Sequence, residues 1–184
     1  INRIQYGKSR YIKYLPAAEY SLAHNNKSNG RGTYSFCMCP GGSVINSSSE
    51  EGELCVNGMS MSGRDFRFSN SAIVVTVKKE DMGSDPLSGI GFQREIEKKA
   101  FIAGGGSFRA PAQTIASFIK KTTDKKIRET SYKNGVTPSR LEDFLPEWIT
   151  KEIRTALTFF DNKMRGFISD NGVFIGAETR TSSP

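Results

Sequence analysis

Histidine is almost missing from this 184-residue sequence: His24 is the only one. A Ser–His–Asp hydrolase would have to rest on that side chain, and no G-x-S-x-G elbow accompanies it. Walker, H-E-x-x-H and EF-hand patterns are also missing. No stretch nears the ~18 consecutive apolar residues of a membrane-spanning helix. The first residues lack the basic, apolar, small-residue order of a secretory signal. Cysteine is scarce and odd in number. Cys37, Cys39 and Cys55 cannot all pair internally, so reduced thiols in a cytoplasmic protein are expected. Apolar residues make up only 36%, low against the usual ~45–50%. The 10% of aromatics and several periodic apolar segments nevertheless exclude disorder.

What is present starts with charge. Lys and Arg number 26 against 19 Asp and Glu, a formal net charge of +7. The densest basic run, Lys120 to Arg128, has no interleaved aromatic, so it reads as a solvated loop and nucleic acid is not the expected partner. The length suits a single domain. The sequence begins at Ile1 without a Met and stops at Pro184, and the expectation is a piece of a longer protein.

Strands are expected over about 10–80: Arg10–Leu15, Ala18–Ala23, Thr33–Cys39, Ser43–Ser48, Glu53–Met59 and Ile73–Val77. Asn25–Gly32 is a polar turn, and Ser49-Glu50-Glu51-Gly52 joins a hairpin. Helices follow over about 85–164. Asp85-Pro86 opens the first, with Phe92, Ile96 and Ala100 on one face, and Gly104-Gly105-Gly106 ends it. Pro111 opens a second, with Ile115, Phe118 and Ile119 inward; Thr137-Pro138 opens a third ahead of Leu141 and Phe144. Pro146 starts the longest, whose stripe is Ile149, Ile153, Leu157, Phe160 and Met164. A return strand is expected at about 173–180. The fold class is therefore α+β: a largely antiparallel sheet, open or barrel-like, with helices covering one face and the other face needing water, a partner or a second domain.

Thr33 to Gly42, with its Phe36-Cys37-Met38-Cys39-Pro40-Gly41-Gly42 end, is the most unusual segment. Strand alternation puts Tyr34, Phe36 and Met38 on one face, expected to be core under the helices. Thr33, Ser35, Cys37 and Cys39 share the other. Residues two apart in a strand are roughly 6.6–6.8 Å apart, the upper end of the Cα range for a disulfide, so a Cys37–Cys39 bridge needs the strand to bend near Pro40. Three readings stay open: buried inert thiols, a redox or substrate-contacting pair, and a Cys₃His zinc site of Cys37, Cys39, Cys55 and His24. Asn57 to Asp65 is a loop of small residues around Arg64-Asp65, either a surface salt bridge or an anion or substrate contact at the sheet edge. Gly104-Gly105-Gly106 follows a helix rather than a strand, which is wrong for a dinucleotide fingerprint.

Seven blocks carry a resemblance. Tyr34 to Gly42, Ser48 to Gly52 and Asn57 to Ser60 with Arg64-Asp65 are followed by Gly91 to Glu95, Arg109 to Gln113, Gly135 to Pro138 and Glu178 to Pro184. In this order, over about Ala18 to Pro184, they resemble the bacterial FAD-dependent dehydrogenases, also called NAD(FAD)-utilising dehydrogenases. The resemblance implies an inserted substrate or cap domain whose Rossmann-like FAD domain lies elsewhere in the same polypeptide. It implies FAD as cofactor, NAD(P)H as a compatible electron donor and a small-molecule substrate. By analogy with the geranylgeranyl reductases, Cys37 and Cys39 would be catalytic, and Pro40, Gly41 and Gly42 would approach the flavin. Arg180, Thr181 and Ser182 would lie where the chain re-enters the FAD domain. Asn57, Met59 and Arg64 would contact substrate. The rival reading is a stand-alone basic module for nucleic acid or an acidic partner.

Overall fold

The computed structural model describes residues 8, 10–15 and 21–180. It is α+β, with three small sheets in place of one continuous sheet. The first has the order β1-β2-β5, all antiparallel, from Ala23–Asn26 (β1), Arg31–Cys39 (β2) and Asn70–Val75 (β5). The second is an antiparallel hairpin of β3 (Gly42–Asn46) and β4 (Val56–Ser60). The third centres on β6 (Ala110–Thr114), with β7 (Val136–Pro138) parallel and β8 (Val173–Ile175) antiparallel to it. The helices are α1 (Lys79–Met82), α2 (Ser88–Ala103), α3 (Ile115–Lys120) and α4 (Glu147–Lys163). Among the described residues no helix is long and apolar enough to cross a membrane.

The β1–β2 turn forms where the polar residues demand it. Asn26 Oδ1 accepts from the Ser28 N–H and hydroxyl, Asn29 Oδ1 from the Arg31 N–H, and Gly30 takes a φ of 70°. Glu152 of α4 then accepts both asparagine amides at 2.7–3.1 Å, tying the turn to the helix. Helix α4 lies across the first sheet, burying Ile149, Ile153, Ala156, Leu157 and Phe160. Each large side chain fully buried here contributes about 1.5–3 kcal/mol. Helix α2 packs on the third sheet through Ile96 and Ala100, and Gly104 ends it as expected.

Several expectations need correction. Arg10–Leu15 contains a 3₁₀ turn at Ile12–Tyr14, not a strand. Ala18, Glu19 and Tyr20 lie outside the described residues, and the strand expected to end at Ala23 instead starts there: β1 runs on to Asn26, into the stretch read as a turn. Pro111 does not open a helix: it sits in β6, all five residues of which are buried, and the helix starts at Ile115. Thr137-Pro138 belongs to β7, followed by a 3₁₀ turn at Leu141–Asp143. Past Lys120, which ends α3, residues 121–128 do form a loop; its Asp124 turns inward to the Thr114 N–H and the Thr114 and Ser117 hydroxyls at 2.7–2.9 Å.

The two faces of β2 are reversed relative to expectation. Tyr34, Phe36 and Met38 are 43%, 53% and 43% exposed, whereas Thr33 is fully buried. The small side chains Thr33 and Ser35 face α4, which leaves room for its large apolar stripe. The reversal has a cost: both hydroxyls are buried without a hydrogen-bond partner. Hydrophobicity alone picks the wrong side here; the volume available under α4 decides it.

Candidate functional site at the Cys37–Gly42 corner

Between the first and second sheets the chain turns a corner through Cys37-Met38-Cys39-Pro40-Gly41-Gly42. Phe36 pairs with Ala72 and Cys39 with Asn70, so three steps along β2 match two along β5. The extra residue is a β-bulge, which bends the strand and re-aims its side chains. At this bulge Cys37 has a φ of 48°, a left-handed backbone that glycine adopts at far lower cost. The two thiols therefore do not simply share a face. Cys37 is exposed and Cys39 is 7% exposed.

The corner is held by close backbone packing. A Cβ on Gly41, whose φ is 58°, would stand 2.1 Å from the Arg64 carbonyl oxygen; one on Gly42 would stand 2.3 Å from the Met59 oxygen. The loop after β4 closes over these glycines. Gly42 donates to the Phe68 carbonyl at 2.8 Å, Gly41 to the Ser69 hydroxyl at 3.5 Å, and Phe66 donates to the Gly41 carbonyl at 3.3 Å. Ser60 Oγ donates to the Pro40 carbonyl at 3.2 Å. Both glycines are buried, and their N–H groups are already engaged. The exposed residues of the corner are Cys37, Met38 and Pro40.

Asn70 stands behind the thiols. A Cβ on Gly58 would lie 2.3 Å from Asn70 Oδ1 and 3.9 Å from Cys39 Sγ, and one on Gly42 would lie 3.0 Å from Asn70 Nδ2. Both amide atoms are buried and unpartnered. Burial pushes the Cys39 thiol pKa up, and the neighbouring Cys37 thiol and the Glu178 carboxylate push it further, against the pull of Arg64. Cys37, Arg64 and Glu178 thus all act on Cys39.

Glu178 is brought there by the C-terminal segment. Val56 donates to the Ala177 carbonyl at 2.9 Å, and Gln93 Nε2 to the Thr179 carbonyl at 2.7 Å. Arg180 donates to both oxygens of the buried Glu97, at 3.0 and 2.7 Å, and also to Ser49 Oγ. Burial opposes ionisation of Glu97, but Arg180 and the Thr179 hydroxyl outweigh it and hold the carboxyl below its ordinary range. Nearby, the buried Glu53 accepts from Arg94 Nε at 2.8 Å.

The sequence-derived residues are distributed as follows. Cys37, Cys39, Pro40, Gly41, Gly42 and Arg64 meet at the corner. Asn57 and Met59 lie two apart on β4, Met59 at 40% exposure. Arg180 is clasped by Glu97, and Thr181 and Ser182 lie outside the described residues. Arg64 and Asp65, also weighed as a surface salt bridge, form no ion pair with each other. The Cys₃His alternative fails: among the described residues no group of three or more His, Cys, Asp or Glu is placed to hold a metal ion. His24 stacks on Phe159 with centroids 3.9 Å apart, and Cys55 is buried, accepting from Thr179 Oγ1 at 3.7 Å. Sequence reasoning missed Asn70 and the positioning role of Glu97; neither has a motif or spacing to reveal it.

Comparison with known proteins places nearly the whole chain in a family. Residues 1–181 match the family described as FAD-dependent protein, C-terminal domain-like. An uncharacterised protein of Clostridium beijerinckii is 43% identical over 187 residues, an alignment that takes in 100% of this chain and 35% of the relative. The chain thus spans about a third of the length of that relative.

Proposed function

Because the chain belongs to the family of FAD-dependent protein C-terminal domains, we propose that it is the cap of an FAD-dependent oxidoreductase, closing over a flavin held by another part of the polypeptide. The observation that carries this reading is the exposed row Tyr34, Phe36 and Met38, which runs along β2 into the thiol corner. A row of large apolar side chains ending at reactive groups suits a surface that a second domain covers.

The residues present fit a flavin approached from one side rather than enclosed. The side chains of Phe36, Met38 and Pro40 offer apolar contact, while Gly41 and Gly42 shape the corner and have no N–H left to give. FAD, when bound, would supply electron-pair transfer. This chain's part is to exclude water with the apolar row, to present Cys37 and Cys39, and to set the charge around substrate with Arg64 and Glu178. Asn57 and Met59 would contact a small-molecule substrate from β4. Arg180 acts from behind, by fixing the segment that carries Glu178.

The test is made on the full-length protein. Visible absorbance gives flavin occupancy, and stopped-flow absorbance gives the rates of reduction and reoxidation. A yellow protein in which Phe36→Glu lowers flavin retention or slows turnover by about tenfold agrees with the reading. A colourless wild type ends it. A yellow protein whose Phe36→Glu variant behaves as wild type removes the apolar row from the cap.

A further inference from the structure

We propose that Cys37 and Cys39 form a redox-active dithiol that exchanges with disulfide substrates, Cys37 attacking and Cys39 resolving. The inference deepens the reading of this corner as the working end of the domain and rests on it.

The backbone supplies the first reason. In a flat strand, cysteines two apart stand at the upper limit of disulfide geometry. Here the bulge between Phe36 and Cys39 and the left-handed Cys37 bend that stretch, and the thiols are near enough that Cys37 raises the pKa of Cys39. A φ of 48° is a left-handed backbone that strains a residue carrying a Cβ. That strain lies at the residue whose thiol faces solvent, where backbone strain of this kind accompanies function.

Exposure divides the labour. Thiol–disulfide exchange needs one accessible nucleophile and a second thiol that only the mixed disulfide can meet. Cys37 is exposed and Cys39 is 7% exposed. Burial and its neighbours keep Cys39 protonated, so it does not compete for substrate. Arg64 is a cation and Glu178 a carboxylate near Cys39, the cation to ease loss of its proton when it attacks the mixed disulfide and the carboxylate to take that proton. The buried amide of Asn70, with neither atom paired, lies behind Cys39 with hydrogen-bonding capacity that nothing else uses.

The chemistry balances without a further reactant. The Cys37 thiolate attacks one sulfur of a substrate R–S–S–R′; the S–S bond breaks, R′S⁻ leaves and a Cys37–S–S–R bond forms. Cys39 loses its proton to Glu178 or water and attacks Cys37 Sγ, releasing RS⁻ and leaving the Cys37–Cys39 disulfide. The substrate disulfide is reduced by two electrons and the dithiol is oxidised by two.

Oxidised glutathione is the probe. Full-length protein is equilibrated at graded ratios of reduced to oxidised glutathione, acid-quenched, alkylated and mapped by peptide mass. At oxidising ratios the wild-type peptide spanning both cysteines should escape alkylation at each and be two hydrogens lighter. Cys39→Ser should hold glutathione on Cys37. Cys37→Ser should carry roughly tenfold less adduct, because the remaining thiol is buried. A wild type alkylated at both positions at every ratio, or one that accumulates the Cys37 adduct unresolved, overturns the proposal. Flavin absorbance is read on the same samples. A yellow protein with inert thiols sinks the dithiol alone, and a colourless protein with an exchanging pair sinks the flavin reading alone.

Discussion

Arg180 and Glu97 meet as a two-pronged pair, guanidinium Nε and Nη2 on the two carboxylate oxygens at 3.0 and 2.7 Å, with the Glu97 side chain 1% exposed. Removing the cation would leave a buried carboxylate without its partner. Arg180→Ala should destabilise the protein by about 3 kcal/mol in denaturant unfolding, and Arg180→Lys by less, since it keeps the charge but loses the fork. Wild-type stability in Arg180→Ala would remove the clasp as a structural element.

Acid should unfold the protein through the same kind of contact. Asp81 is held low chiefly by the Arg31 guanidinium. Glu97 and Glu142 are held low despite burial, by Arg180 and Thr179 in one case and by a backbone N–H and Arg154 in the other. Their folded pKa values lie below the unfolded ones, so the native state binds fewer protons. The stability they contribute is present above the ordinary carboxylate range and is lost as pH falls through the lowered values. Melting temperature should decline below about pH 5, and a flat profile down to pH ~2 would contradict the assignment.

Two glycines separate steric need from conformational need. Gly41 and Gly52 both have positive φ, but a Cβ on Gly52 meets nothing within 4 Å. Gly52→Ala should cost about 1 kcal/mol, the left-handed penalty alone. Gly41→Ala adds a clash with the Arg64 carbonyl and should cost at least about 2 kcal/mol more. Equal losses in paired denaturant titrations would mean that the corner relaxes freely.

Thr33 offers a stabilising substitution. Its hydroxyl is buried and unpartnered in a fully buried side chain. Thr33→Val keeps the shape and removes the orphaned group, so the unfolding midpoint should rise by the equivalent of about 1 kcal/mol. A fall would show that the hydroxyl is satisfied in solution.

The same measurement applied to Cys37→Gly reads the strain at the bulge. Stability should rise by about 1 kcal/mol as the left-handed residue becomes glycine, while the glutathione response is lost. A drop in stability would mean that the Cys37 side chain holds the bulge together.

Much of this molecule was legible because short-range rules govern it. The hairpin around Glu50-Glu51, the stop at Gly104 and the stripe of Ile149, Ile153, Leu157 and Phe160 follow from turn chemistry and period. Pro111 misled because a proline with apolar residues four, seven and eight positions on (Ile115, Phe118 and Ile119) looks like a helix start. Its place in β6 rests on contacts distant in sequence: the pairing with Thr137 and the Gly176 N–H on its carbonyl. The buried Gln113 reinforces that position, bridging the Thr122 carbonyl and the Leu141 N–H. The corner was legible in its residue types but not in its geometry. Alternation put Cys37 and Cys39 together on one face, and only the register with Ala72 and Asn70 reveals the extra residue that separates their exposure.

The clasp at Arg180 also has a mechanical meaning. A pull on residues beyond 180 would load the Glu97 fork first, then the Ala177 carbonyl held by Val56 and the Thr179 carbonyl held by Gln93. These anchors sit on either side of Glu178. Tension along that segment would therefore reach the carboxylate beside Cys39 before it reached either of the other two sheets, so displacement at this end of the chain can be converted into a change of charge placement at the thiols.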